Sequence, residues 1–154
     1  MTTRQLALSG ILAALYVVLT ISFGVFSYGP IQVRFAAGLC ALAAPYPFLI
    51  LPLGIATGMA NIMGGYGLWD VGGGAVATMA ACYGCYLLRR WRYLIPLAIP
   101  VISAPILAGY LHILFGLPFL WTMLYIAIGQ TIAAYTVGLV VLRINDIYNG
   151  RNIG

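Results

Sequence analysis

The chain has no lysine and no glutamate, and its entire acidic stock is two aspartates, Asp70 and Asp146. It has a single histidine, His112, and charged residues make up 6% of its length. Soluble domains carry about 25% charge, so a charged, water-facing surface is excluded. Acid–base enzymology is excluded on similar grounds. A membrane-embedded enzyme needs a nucleophile beside a base, or clustered metal ligands, and one histidine, two edge aspartates and dispersed cysteines supply neither. The cysteines are Cys40, Cys82 and Cys85. Cys82-Tyr83-Gly84-Cys85 has the spacing of a redox or zinc pair, but there is no second pair and His112 is remote, so all three read as packing residues. A nucleotide loop is also missing: Gly72-Gly73-Gly74 permits close backbone approach, but no Gly-Lys-Ser/Thr follows. No catalytic residue, cofactor or metal site is expected.

What is present is hydrocarbon. Hydrophobic residues form 64% of the chain and mean hydropathy is +1.06, the composition of an integral membrane protein. The net charge of +5 comes from seven arginines that sit at segment ends and form no basic face. They read as topological anchors in contact with the lipid bilayer, and nucleic acid is not an expected partner. Arg4 precedes an apolar run that is long enough to span and lacks a clear cleavage site, so it reads as a retained first helix.

A bilayer core of about 30 Å takes around 20 helical residues. On that scale the chain divides into one transmembrane domain, residues 1–154, with spans at about 5–23, 35–45, 48–63, 71–88, 93–115 and 119–142. The long apolar stretch after Arg34 is split at Pro45-Tyr46-Pro47, because prolines break a helix of that length. Pro96, Pro100 and Pro105 are expected to kink the fifth segment, and the tail from Asn145 is expected outside the membrane. Six spans with both termini cytoplasmic place Arg4, the Arg89-Arg90-Trp91-Arg92 cluster, Arg143 and Arg151 together on the inner side. Five spans would separate the basic cluster from the C-terminal arginines, so the positive-inside bias favours six. The short second segment is the weakest of them.

Arg34 then stands alone on the outer side, and an arginine that breaks the charge bias points to ligand binding. Other polar and aromatic groups fall at or near outer ends: Gln32, Asn61, Trp69, Asp70, His112, Trp121 and Tyr125. Together they suit a cavity with hydrogen-bonding groups and aromatic walls. Each also has a plainer reading. Trp69 and Trp121 fit an interfacial belt, His112 a capped or solvated histidine, and Asp70 an N-terminal helix cap. Asn61 and Gln130 are amides in apolar spans and need partners there. Both aspartates lie at edges, away from the midplane where ion-coupled carriers hold acidic groups, so driven transport requires an energising partner. The first helix offers a docking face in two small-residue pairs, Ser9/Ala13 and Gly10/Ala14.

The order Gly29-Pro30-Ile31-Gln32-Val33-Arg34-Phe35, then Ala60-Asn61, then Trp69-Asp70-Val71 through Gly74 to Ala77-Thr78 resembles the QueT family over most of the chain. These are substrate-binding (S) components of energy-coupling factor (ECF) transporters, associated with queuosine precursors such as deazaguanines. The resemblance implies an all-α bundle of six transmembrane helices. It implies a small heteroaromatic substrate bound near the outer face, with Gln32, Arg34, Asn61 and Asp70 in the binding region. It also implies partners: an ECF membrane coupling subunit, reached through the first helix, and two ATPase subunits. Two positions depart from the family pattern. Ala36-Ala37-Gly38 stands where an acidic residue follows the arginine, and Gln130 replaces an acidic residue of the last helix. A cationic aminomethyl arm favours a nearby carboxylate, so these departures point to a neutral or anionic relative of that ligand. One alternative is an S component for another small vitamin-like solute; another is a non-transport subunit that oligomerises through small-residue helix faces, which would need no outer polar pocket.

Overall fold

The computed structural model describes residues 2–27, 33–65 and 67–150. Among them there is no strand, and the chain forms an all-helical membrane bundle. The first helix, α1 (Thr3–Ser22), begins at a capping box: Gln5 N–H donates to Thr2 Oγ1 (3.3 Å) and Thr2 N–H to Gln5 Oε1 (2.9 Å). The side chains thus satisfy amides that the first turn leaves open. A short α2 (Gly24–Ser27) follows, then a 3₁₀ helix, Phe35–Ala43. Next come α3 (Ile50–Gly64), α4 (Leu68–Leu87), α5 (Ile95–Phe115), α6 (Phe119–Ala133), a π-helical turn at Ala134–Gly138, and α7 (Leu139–Tyr148).

Four helical stretches are long and apolar enough to cross a membrane: Thr3–Ser22, Pro47–Gly64, Arg92–Phe115 and Phe119–Tyr148. The α4 helix has 20 residues, but its first two turns carry Trp69, Asp70 and three glycines, which dilute its hydropathy. The remaining segment, Phe35–Ala43, is nine residues long. At about 2.0 Å rise per residue it reaches roughly 18 Å, short of a bilayer core.

That short segment forms the centre of the bundle. Ala36 through Ala43 are all buried, against α1, α4, α5 and the π-turn. Its sequence, Phe-Ala-Ala-Gly-Leu-Cys-Ala-Leu-Ala, is small enough for neighbours to close in on every side. At Gly38 the approach is tightest: a Cβ there would lie 2.6 Å from Val137 Cβ and 2.9 Å from the Gly138 amide nitrogen. Gly138 faces it, with the Gly38 carbonyl 3.4 Å from the position its own Cβ would occupy. Cys40, Cys82 and Cys85 are free thiols in this core.

Hydroxyls inside the bundle bond back to their own helices. Thr20, Thr57, Ser103 and Thr131 each reach the carbonyl four residues earlier, at 2.5–3.0 Å, which is how a hydroxyl is accommodated in an apolar helix. The fifth segment is one helix despite Pro100 and Pro105 inside it, and Pro96 sits in the first turn, where its missing N–H is no loss. The final segment does not stop at Arg143. It continues helically to Tyr148, because Asp146 pairs with Arg92 and Asn145 accepts from the Tyr46 hydroxyl (2.7 Å), tying α7 to the body. Gly65 and Gly116, at φ 76° and 66°, close α3 and α5 in the left-handed conformation that glycine adopts without a Cβ clash.

Candidate functional site

Asp70 organises a rim at the N-terminal end of α4. It lies in the first turn of α4, is 5% exposed, and its carboxylate accepts from the Tyr110 hydroxyl of α5. Its backbone carbonyl accepts from Asn61 Nδ2 of α3 at 2.8 Å. Two neighbouring helices are thus pinned to one residue. Gly74, one turn along, is required here, because any Cβ at that position would run into the Asn61 amide. Asn61 Oδ1 is buried with no hydrogen-bond partner among the described residues.

Below this rim lies a small internal cavity. It is lined by Tyr16 from α1, Arg34, Ala37 and Cys40 at the 3₁₀ helix, Gly74 and Thr78 from α4, Ile99, Ser103 and Leu107 from α5, and Gln130 from α6. Its volume is about 20 Å³, room for roughly one water. Arg34 is only 7% exposed. It precedes the 3₁₀ helix and opens it, its carbonyl accepting from the Ala37 amide at 2.9 Å. Among the described residues that line the cavity there is no carboxylate.

The polar wall opposite is neutral. The Ser103 hydroxyl lies 2.5 Å from the Ile99 carbonyl and also within reach of the Gln130 side-chain amide. One hydroxyl proton serves only one acceptor, so the Gln130 amide has two permitted orientations. In one, Oε1 accepts from Ser103. In the other, Nε2 donates to Ser103 Oγ and Oε1 is left for a donor in the cavity. On the remaining side, Thr57 Oγ1 and Thr78 Oγ1 lie 2.9 Å apart, beside the buried Tyr16 phenol.

The structure therefore gathers Arg34 and Gln130 around one space; Asn61 and Asp70 do not line it, and Asn61 adjoins it through the lining residue Gly74. It adds Tyr16 and Ser103, which sequence reasoning did not single out, and it ties Tyr110, an aromatic that by sequence fits the interfacial belt, to Asp70. The signal available for them was a buried hydroxyl in an apolar helix, which needs a partner. The aromatic candidates lie elsewhere. Trp69 is 71% and Trp121 62% exposed, and Tyr125 and His112 are exposed too, so none of the four lines the cavity. Trp121 packs beside Tyr125 with ring centroids 6.4 Å apart, and His112 Nδ1 lies 2.6 Å from the Leu117 carbonyl. These are the positions of an interfacial belt and a helix-end cap. Gln32 lies outside the described residues. On α1, Ser9 is turned into the bundle and Ala13 packs partly against the core, whereas Gly10 and Ala14 face outward. A Cβ on Gly10 would meet nothing within 4 Å.

No curated protein and no solved structure matches the chain. A family model does, and it covers residues 6–146, which takes in Asp70 and its partners, the cavity lining and the exposed face of α1. With that match over nearly the whole bundle, the chain belongs to the QueT transporter family.

Proposed function

We propose that this transporter-family protein is the substrate-binding component of an ECF-type importer, and that the internal cavity is its substrate site. The observation that carries this reading is the polar cavity itself. A buried arginine, a phenol, two hydroxyls and an amide converge inside an otherwise apolar bundle, and polar groups in a membrane interior mark solute sites. The proposed ligand is a neutral deazapurine related to queuosine precursors. Its rings would lie among Tyr16, Ala37 and Leu107, with the Arg34 guanidinium donating to a ring or exocyclic oxygen and Gln130 meeting an N–H edge. Among the described residues the cavity lining holds no carboxylate to match a cationic arm on the ligand.

At about 20 Å³, the cavity is far below the roughly 300 Å³ of an ordinary ligand pocket. Substrate entry therefore requires the lining helices to separate, with the Asp70–Tyr110 and Asn61–Asp70 contacts as the ties across the outer end. The proposed topology counts six membrane segments, the short Phe35–Ala43 among them, with both termini cytoplasmic and Asp70 outside. The chain would not itself hydrolyse ATP. A membrane coupling subunit and two ATPase subunits would supply energy, docking against the outward Gly10/Ala14 face of α1.

The test is to purify the protein from cells supplied with the precursor and identify the retained small molecule by mass spectrometry. A deazapurine that is retained by the wild type and lost in Arg34→Ala supports the reading. Retention of the same molecule by both proteins refutes it.

A further inference from the structure

Arg89 follows the C-terminal end of α4, the opposite end from Asp70, and there a larger cleft of about 700 Å³ opens. The twenty residues of α4 separate the two sites by about 30 Å at 1.5 Å per residue. Three junctions build the cleft: Pro45-Tyr46-Pro47, the α4–α5 connection with Arg89 and Arg92, and α7 with Asn145, Asp146 and Asn149.

We propose that this cleft is a binding site for the phosphodiester monoanion of a membrane phospholipid headgroup. Charge is the first argument. Arg92 is paired with Asp146, the side chains being 28% and 15% exposed. Arg89 also lines the cleft, so two positive charges against one negative leave one net positive charge, which matches a phosphodiester. Arg89 is already oriented. Its guanidinium stacks 4.4 Å over the Tyr86 ring, an arrangement that uses the face of the group and leaves its N–H edge for an oxyanion.

The opposite wall is held in place. Tyr46 donates to Asn145 Oδ1, and Asn149 Nδ2 lies 3.0 Å from the same oxygen and 3.1 Å from the Tyr46 hydroxyl. The apolar lining at Ile95 and Leu142 suits the glycerol and the start of the acyl chains. Depth is the second argument. Trp91, Tyr93 and Tyr148, on the segments that form the cleft, are exposed aromatics of the kind that sits at headgroup level. The proposed orientation turns this end toward the inner leaflet, where basic pockets between helices hold anionic lipid.

The experiment counts lipids retained by the purified full-length protein in native mass spectrometry. Phosphatidylglycerol is titrated against phosphatidylcholine, whose headgroup is zwitterionic. The wild type is expected to hold one phosphatidylglycerol with about tenfold preference, Arg89→Gln to lose that preference about fivefold, and Arg90→Gln, which lies outside the cleft lining, to match the wild type. Asp146→Asn raises the cleft charge and is expected to strengthen retention about threefold, a gain that an unfolded variant would not give. Equal retention by Arg89→Gln and Arg90→Gln overturns the proposal. Soluble glycerophosphoglycerol displacing the lipid at equal concentration leaves a phosphodiester site but overturns the lipid source. Loss of coupling-subunit capture in Arg89→Gln, with phosphatidylglycerol retention unchanged, overturns it in favour of a protein contact.

Discussion

The Tyr110 hydroxyl donates to the Asp70 carboxylate, joining the C-terminal part of α5 to the first turn of α4. Asn61 holds the carbonyl of the same aspartate from α3. Asp70 thus joins two neighbouring helices, one through its side chain and one through its backbone carbonyl. Removing a charge-assisted hydrogen bond of this kind costs about 1.5–3 kcal/mol. Asp70→Ala and Tyr110→Phe are each expected to lower stability by about that amount in detergent unfolding. The double variant should lose less than the sum of the two. Asp70→Asn, whose amide oxygen still accepts from Tyr110, should lose less than Asp70→Ala.

Gln130 and Arg34 lie on one cavity with no carboxylate in its described lining. Gln130→Glu introduces one beside Ser103 at nearly constant volume. It is expected to shift preference toward a deazapurine with a cationic aminomethyl arm by about tenfold relative to the neutral ring, since an opposite charge within a few ångströms favours the charged form. Paired titration calorimetry with the two ligands checks this. An unchanged ratio would place the exocyclic arm away from Gln130.

Gly38 meets Val137 and Gly138 at the crossing of the central 3₁₀ helix and the π-turn. Gly38→Ala forces these segments apart and is expected to cost about 1–3 kcal/mol, the range for overpacked cores. Gly10→Ala, with open space around its Cβ, should not destabilise and serves as the control in the same unfolding assay.

The outward α1 face separates docking from binding. Gly10→Trp is expected to leave deazapurine binding by the isolated protein within about twofold and to reduce capture by the coupling subunit at least about tenfold, because bulk there prevents close helix approach. Pull-down and binding assays on one preparation read both. Capture at the wild-type level would move the docking surface off this face.

Much of the bundle was readable in the chain because hydropathy runs and proline positions are local signals. The membrane class and the split at Pro45–Pro47 follow from them. The central segment was less legible. Ala-Ala-Gly-Leu-Cys-Ala-Leu-Ala reads as a short helix whatever surrounds it, and only tertiary packing determines that all of it is buried. The cavity was half legible: Arg34 and Gln130 stand out as polar groups in apolar sequence, whereas Tyr16 and Ser103 do so only once their neighbours are known. Trp69, Trp121, Tyr125 and His112 carried an ambiguous signal, because an aromatic at a helix end suits a belt as well as a pocket wall. The reach of α7 to Tyr148 depends on Asp146 meeting Arg92, which is 54 positions away, and no local pattern encodes that.

Substrate is proposed to bind in the internal cavity among Arg34, Ser103 and Gln130, away from the exposed aromatics. Equilibrium binding of 7-deazaguanine to the purified protein tests it most directly, with Arg34→Ala, Gln130→Ala and Trp121→Ala compared side by side. The account predicts saturable one-to-one binding that weakens at least about tenfold in the first two variants and stays within about twofold in Trp121→Ala. Binding that is lost in Trp121→Ala and kept in Gln130→Ala would contradict it and place the ligand on the exposed surface at Trp121.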